Sequence, residues 1–337
     1  MLLSIDALSD TGCVREHNED MILAQGELIR DERVQFQVET TTDVPVILAV
    51  ADGMGGHNGG EFASELAIQS LDDFIHQLPG KLSYDELKAR FDDWIQAIHR
   101  EVLQKGIDLP EFLNMGTTLV GILVYENQLY WFNVGDSRLY RFRGGVLSQI
   151  SSDHSVRKMY NPSAPSNMIC NSIGAGQEVF IDFTEMPAVF EDDQFLLCSD
   201  GLNDMIEDDT IEALFSTHAN AEQLVEAAKN AGGKDNVSVL LIDIKAVGPE
   251  VETLENEDDD HPEEKAIQTP LEFKQETRES TLEKETNKPE TESQSETRKV
   301  YFRKETQKPE KLFSKLGKLF GKEPQKTSSS SKNKKQE

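Results

Sequence analysis

The chain of 337 residues is poor in cysteine and tryptophan and, over its first 246 residues, in positive charge. Cys13, Cys170 and Cys198 are odd in number and scattered. They offer no disulfide framework and no zinc spacing, and they suit a reducing compartment. None is followed six residues later by Arg, which excludes the loop in which a thiolate attacks a phosphate held by Arg. No stretch reaches about 18 apolar residues, so no membrane-spanning helix is expected. Asp6 and Asp10 stand near the start with no basic run before them, and no signal peptide is expected. The formal charge is −28, and residues 1–246 carry 41 acidic against 16 basic residues. Lys and Arg are too sparse there to track a phosphate backbone, which argues against nucleic acid as a direct ligand. Carboxylates in this excess form either a solvated surface or a means of concentrating cations.

Against these absences stands a dense stretch at 48–61. The apolar run Val46–Ala51 reads as a strand buried on both faces. It ends on Asp52, then Gly53-Met54-Gly55-Gly56-His57-Asn58-Gly59-Gly60-Glu61. A carboxylate at a strand end beside bare backbone is either a turn residue or a hard-metal site, since carboxylate and carbonyl oxygens suit Mg²⁺ and Mn²⁺. The arrangement recurs. The strand Gln194–Cys198 runs into Ser199-Asp200-Gly201, and Gly232-Gly233-Lys234-Asp235-Asn236 precedes the strand Val237–Ile244. Asp136, in Gly135-Asp136-Ser137-Arg138, breaks a pair of apolar strands, which reads as a bulge or tight bend.

The remaining elements follow from periodicity. Leu2–Leu8, Met21–Ala24 and Val34–Val38 read as strands. Ala63, Leu66, Ala67, Leu71, Phe74 and Ile75 share a helical face. Ser83 and Glu86 form a capping box before a second helix with Leu87, Phe91, Trp94, Ile95, Ile98 and Val102 on one side. Residues 118–150 read as four short strands whose tight connections imply an antiparallel meander. Two helices are expected around 209–216 and 221–230. A sheet could gather Asp52, Asp136, Asp200 and Asp235 at one edge with Glu19 and Arg15 of the polar loop 9–20. Carboxylates so close repel one another and raise each other's pKa. Divalent cations remove the repulsion, and two of them can activate water and clamp a phosphoryl group, with Arg15 on its free oxygens. The residues thus point to two-metal hydrolysis of a phosphate ester. A nuclease would use the same logic, but the acidic composition counts against it.

The ordered set Arg15-x-x-Asn18-Glu19-Asp20, Asp52-Gly-Met-Gly-Gly-His with Gly60-Glu61, Gly116-Thr-Thr, Gly135-Asp-Ser-Arg, Asp153-His-Ser, Ser199-Asp-Gly-Leu and Asp235-Asn resembles the metal-dependent, type 2C serine/threonine protein phosphatases in their bacterial form. The resemblance spans about 1–245. It implies an α+β fold, a four-layer α-β-β-α sandwich with two central antiparallel sheets flanked by helices. It implies that Asp52 bridges two Mn²⁺ or Mg²⁺ ions and that the Gly53 carbonyl binds one. Asp200 and Asp235 are ligands, Glu19 acts through metal-bound water, and Asp136 with Asp200 holds a third ion. Arg15 binds the substrate phosphate, and Asn236 orients the loop around Asp235. The implied reaction is in-line attack by a bridging hydroxide on phosphoserine or phosphothreonine, in proteins that include a serine/threonine kinase. Met54 stands where animal members often carry His, which leaves His57 or a metal-bound water to protonate the leaving group. The segment after Asp153-His-Ser is shorter than the family's flap, which helps choose substrates. Asn171-Ser-Ile-Gly-Ala-Gly replaces its usual Leu-Thr-Arg-Ala-Leu-Gly-like end.

Two domains are expected. Residues 1–246 form the catalytic domain. Residues 247–337, rich in Glu, Lys, Thr, Ser and Pro, have the composition of a disordered tail. Near 310–322, Leu312, Phe313, Leu316, Leu319 and Phe320 share one helical face, with Lys311, Lys315, Lys318 and Lys322 mostly on the other. That pattern suits an anionic membrane surface, a partner groove or a contact with the acidic domain. The expectation is a cytoplasmic monomer, with peripheral contact at the inner membrane face as one use of the tail. The competing reading is a catalytically weak phosphoprotein-binding module whose charged tail recruits a partner or membrane.

Overall fold

The computed structural model describes residues 1–55, 59–165 and 168–247. The expectations for His57 and for the tail, with its stretch near 310–322, fall outside the described residues. The elements in chain order are β1 (Leu2–Asp10), β2 (Asp20–Ala24), β3 (Glu27–Ile29), β4 (Arg33–Glu39), β5 (Val46–Met54), α1 (Gly59–His76), α2 (Tyr84–Asp108), β6 (Gly116–Thr117), β7 (Leu119–Tyr125), β8 (Gln128–Val134), β9 (Arg138–Arg143), β10 (Val146–Gln149), α3 (Val156–Met159), β11 (Asp182–Glu185), β12 (Gln194–Cys198), α4 (Asp200–Asn203), α5 (Asp208–Ser216), α6 (Ala221–Asn230) and β13 (Val237–Ala246). One sheet has the order β10-β9-β12-β13-β1-β4 and the other β11-β8-β7-β5-β2-β3, with β6 paired to β5. Every ladder is antiparallel.

Side-chain alternation distributes the core into three layers. In β5, Val46, Leu48 and Val50 face the other sheet, while Ile47, Ala49 and Ala51 face α1 and α2. In β13, Leu240, Ile242 and Ile244 enter the space between the sheets, and Val237, Val239 and Leu241 meet α5 and α6. These strands are apolar at nearly every position because both faces are covered, and that makes the four-layer sandwich. Each fully buried Leu, Ile or Val contributes about 1.5–3 kcal/mol. The capping box of α2 is present: the Glu86 amide donates to Ser83 Oγ, and the Glu86 carboxylate accepts from the Ser83 amide at 2.9 Å.

The expected four-strand meander is instead two hairpins in different sheets. β7–β8 belongs to one sheet and β9–β10 to the other. Gly135-Asp136-Ser137 is therefore the crossing between sheets and not a bulge within one. Gly135 takes φ +109°, and a Cβ there would lie 2.7 Å from the Thr118 side chain. Only glycine makes this turn against Thr118. Among the described residues no helix is long and apolar enough to cross a membrane.

Candidate functional site

The strand registers bring one set of ends together. Asp10 pairs with Val237, Asp20 with Asp52, Gly53 with Thr117 and Cys198 with Arg138. Asp136, Asp200 and Asp235 flank these same positions in sequence. Glu19, Asp52, Gly53, Asp136, Asp200, Asp235 and Arg15 thus share one end of the sandwich, as the sequence predicted.

The Gly116-Thr117-Thr118 run fixes Asp52 through its backbone. The Asp52 amide donates to Thr118 Oγ1 at 3.0 Å, and the Asp52 carbonyl accepts from the Thr118 amide and from Thr117 Oγ1, each at 2.9 Å. Thr118 Oγ1 also meets Ser137 Oγ at 2.7 Å, which joins the Asp52 strand end to the Asp136 crossing. Gly53 donates to the Glu19 carbonyl at 3.2 Å. Asn236 ties down the loop that carries Arg15. Its side chain donates to the carbonyls of Thr11 and His17 and accepts from the Glu19 amide, at 2.9–3.0 Å. Its own amide donates to Asp235 Oδ1 at 2.9 Å. Arg15 Nη2 donates to Asp235 Oδ2 at 2.6 Å, so the expected phosphate-binding cation rests on an expected ligand.

Asp20 belongs to the cluster, although sequence reasoning gave it no role. It is 1% exposed, and its Oδ2 accepts from Ser199 Oγ at 2.8 Å. Ser238 donates from its amide to Ser199 Oγ and from its hydroxyl to Ser9. Three buried serines from β1, the end of β12 and β13 thus line the Asp20 side of the cluster. The signal in the sequence was a charge opening the wholly apolar run Met21–Ala24.

The electrostatics follow from this crowding. Burial, then neighbouring Asp20 and Asp200, pushes the Asp52 carboxyl well above its ordinary range. Burial and then Asp235 push Asp200 up to about 6. Burial and then Asp200 raise Asp136 to about 7. Glu19 is raised by burial, against the pull of Arg15. Among the described residues no three His, Cys, Asp or Glu side chains converge at metal-holding spacing, and Asp235 is turned onto Arg15. The donor set nonetheless fits hard divalent ions. It is all oxygen, anionic and short of cations, and burying such charges without a partner is costly. The backbone around it is bare. A Cβ on Gly53 would lie 2.1 Å from the Gly60 carbonyl oxygen, and one on Gly60 would lie 2.8 Å from Glu19 Oε1.

Known proteins carry the same plan. The family model described as Protein phosphatase 2C matches residues 23–235. The chain is 31% identical to the serine/threonine phosphatase stp of Listeria monocytogenes over 250 residues, which make up 70% of this chain and 93% of that protein. It is 35% identical over 257 residues to the serine/threonine protein phosphatase PstP of Mycobacterium tuberculosis, covering 72% of this chain and 45% of that protein. A solved structure of the catalytic domain of a serine/threonine protein phosphatase PstP, in complex with two manganese ions, superposes with a TM-score of 0.56 at 32% identity. It covers 73% of this chain and 100% of that one.

Proposed function

The chain belongs to the protein phosphatase 2C family, and from that premise we propose that it removes phosphate from phosphoserine and phosphothreonine in proteins at the end of the sandwich built on Asp52. The observation that carries this reading is the placement of Asp52, Asp136 and Asp200 at one end of the sandwich, where burial and mutual repulsion push each carboxyl above its ordinary range. Carboxylates in that state bind divalent cations as they lose their protons.

The residues would hold two ions, Mn²⁺ or Mg²⁺, through Asp52, the Gly53 carbonyl, Asp200, Asp235 and Glu19. Asp136 with Asp200 would hold a third. When bound, the ions supply the charge that activates water and neutralises the phosphoryl oxygens. The chain's own part is to orient and position. Thr117, Thr118 and Ser137 keep Asp52 and Asp136 in fixed relation, and Asn236 keeps Arg15 beside Asp235. Arg15 exchanges its bond to Asp235 for a substrate phosphate, where its planar fork makes two parallel contacts. A serine/threonine kinase is the expected antagonist, and also a candidate substrate, of a monomeric enzyme. A membrane or partner contact through 310–322 rests on sequence alone.

The test is hydrolysis of a phosphothreonine peptide in Mn²⁺, in Mg²⁺ and in EDTA. Turnover is expected with either ion, none with chelator, and a loss of orders of magnitude in kcat for Asp52→Asn and Asp200→Asn. Undiminished turnover in excess EDTA would overturn the reading.

A further inference from the structure

We propose that Arg157, with Lys158 beside it, determines specificity at this site, and that the substrates it favours are phosphopeptides with an acidic side chain close to the phosphorylated residue. The proposal rests on the phosphatase reading above.

α3 is short, but its place is fixed. Ser155 Oγ caps it by accepting from the Lys158 amide. The preceding residue, His154, is 3% exposed and clamps the Asp136 turn. Its amide donates to the Gly135 carbonyl at 2.8 Å, and its Nδ1 accepts from the Gly135 amide at 3.1 Å. Arg157 lines a cavity of about 90 Å³ together with Asp136, Asp200, Asp204, Asp153 and Arg138. Arg157 therefore stands beside Asp136 and Asp200, in a cavity that neither Arg15 nor Asp235 lines.

The two arginines of this cavity differ in what they have left to give. Arg138 is committed. Its Nε and Nη2 hold Asp153 at 3.0 and 2.8 Å, and its Nη1 bonds Tyr140. Arg157 donates only Nε, to the Ala164 carbonyl at 2.8 Å. Among the described residues neither Arg157 nor Lys158 forms an ion pair. One bond to backbone orients the guanidinium and leaves its other donors for an anion of planar geometry. Asp136 and Asp200 do not supply that anion, because the proposed ions claim them. Asp204, whose carboxyl is raised by burial against the pull of Arg138 and Arg157, forms no ion pair with Arg157 among the described residues. A carboxylate carried in by the substrate supplies the anion.

The surface beside the two cations suits a peptide. Met159, Tyr160 and Met168 are 42%, 73% and 45% exposed. The Val156 amide donates to the Met168 carbonyl, and Cys170 Sγ lies 3.4 Å from Met159 Sδ, which joins the two legs of this loop. Elsewhere the domain is strongly acidic, with 41 acidic and 16 basic residues in 1–246. At long range it repels an acidic peptide, so any preference for one is made at short range by Arg157 and Lys158.

Two phosphothreonine peptides, identical except for Glu or Lys in the flanking positions, test this with the full chain and Mn²⁺. The readout is the ratio of kcat/KM for the Glu peptide to that for the Lys peptide, taken within each variant so that any general loss cancels. The ratio is expected to fall about threefold in Arg157→Gln and about tenfold in Arg157→Glu, with Arg157→Lys between Arg157→Gln and wild type. A ratio in Arg157→Glu within about twofold of wild type overturns the proposal, as does an equal rise in KM for both peptides, which would place Arg157 on the phosphate itself. Turnover of p-nitrophenyl phosphate, which has no flanking residues, separates the two levels of inference. Wild-type protein inert toward it and toward both peptides would sink the phosphatase reading and this proposal together. Turnover with an unmoved ratio sinks this proposal alone.

Discussion

Asp20 and Asp52 are register partners across β2 and β5, and each carboxylate raises the proton affinity of the cluster. Asp20 is buried against Ser199, while Asp52 is half-buried at the mouth. Replacing Asp20 with Asn keeps an oxygen for Ser199 and removes one charge from a site that has too many. Asp20→Asn should therefore raise the melting temperature in EDTA by about 2–4 °C. It should also shrink the gain on adding Mn²⁺, because the cluster is less anionic. Thermal melts with and without metal measure both, and a lower melting temperature in EDTA would show that the charge is needed for folding.

The pH dependence has a definite sign. Asp52, Asp136 and Asp200 have folded pKa values above that of an unfolded Asp, with Asp136 at about 7. Between about pH 4 and pH 7 the folded, metal-free domain holds protons that the unfolded chain has released. These carboxyls thus favour the metal-free fold below about pH 4 and stop doing so as the pH rises through their folded values. Divalent ions bind the deprotonated forms, so metal stabilisation grows over the same interval. The difference in melting temperature between Mn²⁺ and EDTA should be small at pH 5.5 and several degrees at pH 8. A difference independent of pH would separate these carboxyls from metal binding.

Arg15 gives a cleaner separation of binding from folding. Its guanidinium and the Asp235 carboxylate are 46% and 37% exposed, so their 2.6 Å contact is well screened and contributes little to stability. Arg15→Ala should shift the melting temperature by no more than a degree or two. Loss of a bidentate phosphate contact should raise KM for a phosphopeptide about tenfold, with Arg15→Lys in between. An unchanged KM would leave Arg15 as a partner of Asp235 only.

Much of this fold is legible in the sequence because its core strands and long helices repeat their apolar pattern over many residues. β5, β13, α1 and the capped α2 are of this kind. The edge strands β3 and β11, three and four residues long, are too short for a period to show. The partition of β7–β10 between two sheets is hidden for another reason. The Gly135-Asp136-Ser137 connection is as short as a hairpin turn, and what sends it across is the packing of Gly135 on Thr118. The metal-binding candidates are legible because each Asp interrupts or ends an apolar strand beside glycine. Asp20 was overlooked because its partners Ser9, Ser199 and Ser238 are spread along the chain, and serines carry no pattern.

Gly53 offers the sharpest test that bare backbone shapes the site. It pairs with Thr117 in an ordinary strand, and its amide donates to Glu19. Its φ is not positive, so the argument is wholly steric. A Cβ would lie 2.1 Å from the Gly60 carbonyl oxygen and 2.5 Å from that of Glu19, both of them backbone. No rotamer can relieve such contacts, so the start of α1 and the Glu19 loop must move away from the end of β5. Overpacking of this kind costs about 1–3 kcal/mol or more, and here the displaced groups are the ones proposed to hold the ions. Gly53→Ala should lower the melting temperature by about 5 °C and abolish stabilisation by Mn²⁺. Gly80→Ala is the control, because its nearest neighbour is the end of the Glu126 side chain at 3.6 Å, and it should leave the Mn²⁺ response intact. If Gly53→Ala retained full stabilisation by Mn²⁺, the close approach of α1 to β5 would be a packing detail and the ligand geometry would depend on the carboxylates alone.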